Sequence, residues 1–198
     1  WGLWDGVNYS AAWSPQGEGY PCYCDHTRAK YKAWLRERYT LDELNHRFLR
    51  RYRRWEDVEP PRSHNNVVEM LAYRQFHYEN LAGHLRWMID LTREIDAVHE
   101  TRTHGAWFPR PWDEICAVEA DSWGMSMPSN DLLTSRDPLK VAERAFAFEW
   151  SRSLGRGGRW WNEEIYSGMA KGGVTWKKQT EPGELTTLLW MTLAYGAA

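Results

Sequence analysis

The sequence predicts an α/β fold built on a parallel sheet. Strand-like apolar segments alternate with helical ones along the chain, and such alternation gives parallel strands joined by crossover helices. Polar and aromatic residues gather just past each predicted strand, at Asp5, His104, Trp123 and Glu164. No Gly-x-Gly-x-x-Gly loop is present to support the competing architecture, an open doubly wound sheet.

Gly2-Leu3-Trp4 reads as the end of a strand, and a loop rich in Gly, Pro, Ser and Gln runs on through Tyr20. Asp25 to Tyr39 has helical spacing, with Ala29, Trp34 and Leu35 among its apolar positions. Thr40 and Glu43 stand three apart, as a capping box at the start of a short helix requires. The arginines at 47, 50, 51, 53 and 54 are followed by Glu56, Asp57 and Glu59, which favours a solvated face over a basic patch. Pro60-Pro61 closes that segment. Val67 to Ile95 is the clearest helix, with Val67, Leu71, Tyr78, Leu81, Leu85, Met88 and Ile95 recurring at helical steps.

Val98 to Gly105 reads as a strand, Trp112 to Cys116 as a short helix and Val118 to Gly124 as a strand. Pro138 suits a first helical turn and opens a helix to about Leu154. Gly155 to Gly158 turns the chain into the strand Arg159 to Glu164, and Glu184 to Tyr195 is the last helix. In a β/α barrel the strand ends form one face, where active sites are built, and closure takes eight units in roughly 250 residues. The four strands expected in these 198 residues make half of such a barrel, here treated as one domain over 1–198.

Composition narrows the function. A net charge of -2 gives no reason to expect nucleic acid or an anionic membrane as partner. No 18-residue apolar run is present, so no membrane span is expected. No leader is visible, which points to the cytoplasm, and a start at Trp1 inside a strand suggests a piece of a longer chain. Asn8-Tyr9-Ser10 matches the N-glycosylation pattern, with no sign of secretion beside it. Tryptophan is the outlier, at 14 residues; such rings either stack on sugar C–H faces or fill a large core. The three cysteines, Cys22, Cys24 and Cys116, are an odd count that argues against a disulfide scaffold. Cys22-Tyr23-Cys24-Asp25-His26 offers either part of a metal site or two reduced thiols near a helix start.

The chemistry concentrates in Trp160-Trp161-Asn162-Glu163-Glu164, an aromatic strand ending in carboxylates before the glycine-rich Ser167 to Gly173. Carboxylates beside an aromatic platform suit a sugar-cleaving site, and glycoside hydrolysis usually needs two of them.

Longer motifs add a family. Pro21-Cys22-Tyr23-Cys24-Asp25-His26-Thr27, Trp34-Leu35-Arg36-Glu37-Arg38-Tyr39, Leu41-Asp42-Glu43-Leu44-Asn45 and Tyr52-x-x-Trp55-Glu56-Asp57-Val58-Glu59-Pro60-Pro61 together resemble glycoside hydrolase family 42, the β-galactosidases. Asp121-Ser122-Trp123-Gly124, Trp161-Asn162-Glu163-Glu164 and Trp190 through Ala197 continue the likeness along essentially the whole chain. The resemblance implies a TIM barrel, seen here from the end of its fourth strand to the helix after its seventh. It also implies a retaining mechanism on β-galactosides, and often a trimer. The seventh-strand nucleophile maps to Glu164, followed by Ile165-Tyr166, with Glu163 as the fallback.

The same resemblance places the acid/base glutamate in a fourth-strand motif, where this chain has Trp4-Asp5-Gly6-Val7-Asn8-Tyr9-Ser10. Gly6 occupies the glutamate's position and cannot transfer a proton. A second alignment puts Glu18 there, with Trp13 upstream, at the cost of the match at Asn8-Tyr9-Ser10. Asp5, His104, Trp123 and Trp176 are the implied galactose contacts, although His104 equally suits a packed strand end and Trp123 a barrel core. Zinc-binding relatives carry a cysteine where this chain has Thr27, so Cys22 and Cys24 are partial ligands and no cofactor is expected.

Overall fold

A computed structural model describes residues 1–4, 22–63, 65–105, 117, 119–128, 138–155, 159–166 and 182–197. In chain order these form β1 (Gly2–Trp4), α1 (Asp25–Arg36), α2 (Leu41–Phe48), a 3₁₀ turn (Trp55–Asp57), α3 (Val67–Ile95), β2 (Arg102–Gly105), β3 (Ser122–Pro128), α4 (Pro138–Leu154), β4 (Trp160–Tyr166) and α5 (Pro182–Ala194). The strands make one sheet in the order β1-β2-β3-β4, and every neighbouring pair is parallel. This is the α/β arrangement the alternation predicts. The loop expected before Tyr20, the short helix expected at 112–116 and most of the turn expected at 155–158 lie outside the described residues.

Two compact units divide the chain: Trp1–Asn8 with Ala82–Ala198, and Tyr9–Leu81. The first holds the sheet. Trp160 is fully buried on one face of it, in a cluster with Met125, Ala147, Phe148 and Leu188. Its indole N–H donates to the carbonyl of Tyr195 at 2.9 Å, so the ring is buried without losing its one donor.

The strands start later than periodicity suggests, and polar side chains explain why. Asp96 Oδ1 accepts from the N–H groups of Val98 and His99, each at 3.1 Å, and curls the chain just after α3. Residues 98–101 are thereby kept out of β2. The N–H of His99, the Trp1 indole and the His99 ring hold the Asp96 carboxyl well below the usual carboxylate range. Asp121 Oδ2 accepts from both the N–H and the hydroxyl of Thr101 at 2.8 Å. That contact pins the approach to β3 against the approach to β2, so β3 begins at Ser122 and continues to Pro128. Burial raises the Asp121 carboxyl, but the two Thr101 bonds and Arg93 bring it net below its ordinary range.

The second unit is helical. Tyr31, Leu35, Leu44, Phe48, Val58, Tyr73 and Phe76 form its core. Helix α1 stops at Arg36, short of the expected Tyr39, because Thr40 is already extended as the cap of α2. The capping box is complete: Glu43 N–H donates to Thr40 Oγ1 at 3.3 Å, and Thr40 N–H donates to Glu43 Oε2 at 2.7 Å. Glu69 is buried, and its charge is matched by Arg50 (2.5 and 2.7 Å) and by the Tyr52 hydroxyl (3.0 Å). No helix among the described residues is long and apolar enough to cross a membrane.

Candidate active site

The site builds from the register of three strands. His104 of β2 pairs with Gly124 of β3, and Gly124 pairs with Trp161 of β4. Paired residues on neighbouring parallel strands project to the same face, so these three form one row. Arg102 lies two residues before His104, and Glu163 two after Trp161, so period-two alternation brings both to that face. The opposite face carries Met125 and Trp160, packed into the cluster with α4 and α5.

Glycine is required in the middle of the row. Strands β2 and β4 are not neighbours; they flank β3 and stand roughly 9–10 Å apart. Arg102 reaches across β3 at Gly124: its guanidinium carbon lies 3.9 Å from the Trp161 ring centroid, and Nη1 lies 3.7 Å from Glu163 Oε1. Glu163 folds back over the same glycine. A Cβ at 124 would stand 2.2 Å from Glu163 Cγ, a separation real side chains do not tolerate.

Glu163 is also an extra residue in its strand. The β3–β4 register runs Met125 to Asn162 and then Ser126 to Glu164, skipping Glu163. Such a bulge breaks the alternation and re-aims side chains, and bulges are frequent beside active sites. Two consecutive glutamates at a strand end therefore have a physical reason to act differently. Glu164 stands one residue past the bulge, opposite Ser126, with its side chain outside the described part of the structure.

The strand end has unmet hydrogen-bonding capacity. On the row's face, Trp161 Nε1 and Glu163 Oε1 are buried with no hydrogen-bond partner among the described residues, and on the other face the same holds for both amide atoms of Asn162. Buried polar atoms are rarely left so.

The other sequence-predicted residues fall as follows. His104 is half-buried in the central row. Trp123 is 2% exposed and shares strand parity with Met125, on the helix-facing side, where it supports the sheet. Asp5, Gly6, Glu18, Trp176 and Cys116 lie outside the described residues. Sequence reading missed Arg102, since an arginine opening a strand looks solvated; only the register and the bare Gly124 reveal its reach.

Cys22 and Cys24 stand just before α1, with sulfurs 3.2 Å apart. At the third position the Thr27 hydroxyl donates to Cys22 Sγ at 3.2 Å. A closed zinc site takes four ligands such as thiolate or imidazole. Among the described residues no group of three or more His, Cys, Asp or Glu gathers here. Two thiols and a hydroxyl make up only part of such a ligand set.

The profile of the β-galactosidase family, glycoside hydrolase family 42, matches residues 10–198. The chain belongs to glycoside hydrolase family 42. Within it, a β-galactosidase of Halorubrum lacusprofundi is 29% identical over 84 residues, which is 38% of this chain and 12% of that protein. Solved structures of the family share the fold. The polyextremophilic β-galactosidase of the same haloarchaeon superposes with a TM-score of 0.74 at 20% identity, covering 89% of this chain and 29% of that one. The cold-adapted β-galactosidase of a Rahnella species gives 0.76 at 21%, covering 91% and 28%. A catalytic mutant of a family 42 β-galactosidase from G. stearothermophilus gives 0.77 at 16%, covering 89% and 28%. The chain thus spans less than a third of the length of these relatives. Its sheet is part of the family's TIM barrel.

Proposed function

We propose that the protein carrying this chain is a retaining β-galactosidase acting on terminal β-D-galactosides, with Glu164 as the nucleophile. The observation that carries the reading is the end of β4. There a bulge sets Glu163 against Arg102, Glu164 follows, and Trp161 Nε1 and Glu163 Oε1 are left wanting hydrogen-bond partners. Family membership supports it.

In this mechanism the Glu164 carboxylate attacks the anomeric carbon and forms a glycosyl-enzyme, which water then releases. A second carboxyl, about 5–5.5 Å from the first, protonates the departing oxygen and later activates the water. Arg102, held over Trp161, fixes the Glu163 side chain beside the reacting strand end. His104 and Trp176 are assigned to the galactose, Asp5 to its rim, and Trp123 to the wall behind. A fourth-strand position filled by Gly6 leaves the proton-transfer role without its glutamate, and Glu18 is the nearest glutamate in sequence.

That glycine favours a second reading, a carbohydrate-binding protein of the same fold that has lost turnover. Kinetics separate the two. An aryl galactoside with a good leaving group needs little acid assistance, so Glu164 alone performs the first step. A galactosidase should release the phenol slowly and be clearly accelerated by azide, which attacks the glycosyl-enzyme without a general base. Binding of galactose with no phenol release at any azide concentration would establish the second reading instead.

A further inference from the structure

We propose that Cys22 and Cys24 form a redox-active dithiol that exchanges with low-molecular-weight disulfides and closes to an internal Cys22–Cys24 disulfide. The two sulfurs are already in contact at 3.2 Å, about 1 Å beyond a disulfide bond. The segment between them is anchored. The Tyr23 hydroxyl donates to the carbonyl of Pro61 at 2.9 Å, its ring stacks on Tyr73, and Arg62 covers it at 4.4 Å. The Tyr73 hydroxyl donates to the Cys22 carbonyl at 2.5 Å. Held on both sides of the peptide, the thiols stay together.

Their surroundings divide the roles. Cys24 is exposed and is the N-cap of α1, where unpaired backbone N–H groups favour a thiolate. Cys22 is half-buried behind it and is the resolving thiol. Thr27, a hydroxyl in contact with both sulfurs, leaves them available for exchange.

The steps balance. The Cys24 thiolate attacks one sulfur of a small disulfide such as oxidised glutathione. A mixed disulfide forms, and the other glutathione leaves with the electron pair and takes a proton from solvent. The Cys22 thiolate then attacks Cys24 Sγ and expels the second glutathione. Two protein thiols are oxidised and one disulfide is reduced to two thiols. A ring enclosing a single residue makes a strained, exposed bond, the kind that is readily reduced again.

The test is peptide mapping after incubation with oxidised glutathione and a chelator, on the wild type and on Cys22→Ser and Cys24→Ser variants. In the wild type we expect the peptide bearing both cysteines to lose two hydrogens and carry no glutathione. Cys22→Ser should trap glutathione on Cys24, and Cys24→Ser should react at least about tenfold more slowly. Cys116, the third cysteine, serves as the internal reference. Stable glutathione on Cys24 of the wild type, or unreacted thiols where a reference dithiol is oxidised, would overturn the proposal. Because the wild-type map alone decides, poor folding of either variant leaves the test intact.

Discussion

Glu163 lies across Gly124, so closely that a single methyl group at 124 would overlap its Cγ at 2.2 Å and approach Oε1 to 3.1 Å. The contact joins β4 to β3 at the one point where Arg102 passes from β2 to Trp161. The conformation of the strand end therefore depends on a side chain that is absent.

Gly124→Ala should displace Glu163 from Arg102. Overpacking of this kind costs about 1–3 kcal/mol, visible as a fall in Tm. If the strand end positions the nucleophile, the rate of galactosyl-enzyme formation should also fall, by on the order of 10²-fold. Adding Glu163→Ala to Gly124→Ala removes the overlap and should restore stability but not the rate. A single Gly124→Ala variant with unchanged Tm and rate would show that the strand end relaxes freely.

Arg102 and Glu163 should be coupled. Their side chains are 32% and 21% exposed, which limits solvent screening, while the 3.7 Å separation limits the direct bond. A double-mutant cycle on Arg102→Met and Glu163→Gln should give a coupling of about 0.5–2 kcal/mol in urea unfolding. Arg102→Met alone should cost more than the coupling, because the stacking on Trp161 is lost as well. Strict additivity would make the pair incidental.

His77 predicts a pH dependence in the helical unit. It is 2% exposed, with its ring against Tyr73 at 4.4 Å and Phe76 at 5.1 Å, and burial pushes it down to about 4. An unfolded histidine titrates near 6.5, so between the two values the unfolded chain binds a proton that the folded chain refuses. The contribution is complete above about 6.5, declines as pH falls and levels off below about 4, for a total of roughly 3 kcal/mol. Melting curves across that window should show the decline, and His77→Phe should flatten it. A pH-independent difference between the two proteins would contradict the assignment.

Much of this architecture is legible in the sequence. The alternation of elements gives the parallel sheet, because neither a crossover helix nor a buried strand can be built from the other's period. The acidic end of β4 is legible too, since Glu163 and Glu164 follow two tryptophans. What escapes is set by contacts between distant segments. Asp96 and Asp121 delay the starts of β2 and β3 through bonds to the backbone around them. The bulge at Glu163 depends on pairing with β3, and Arg102 acquires a role only through a glycine 22 positions later.

Trapping the glycosyl-enzyme identifies the nucleophile, which the proposed mechanism places at Glu164. The intact protein is incubated with a 2-deoxy-2-fluoro-galactoside bearing a good leaving group, digested, and sequenced by mass spectrometry across residues 159–166. The fluorine slows both formation and breakdown of the glycosyl-enzyme, and the good leaving group restores the rate of formation alone, so the intermediate accumulates. A fluorogalactosyl ester on Glu164 is expected. An ester on Glu163, or none on either glutamate while the sugar binds, would contradict it.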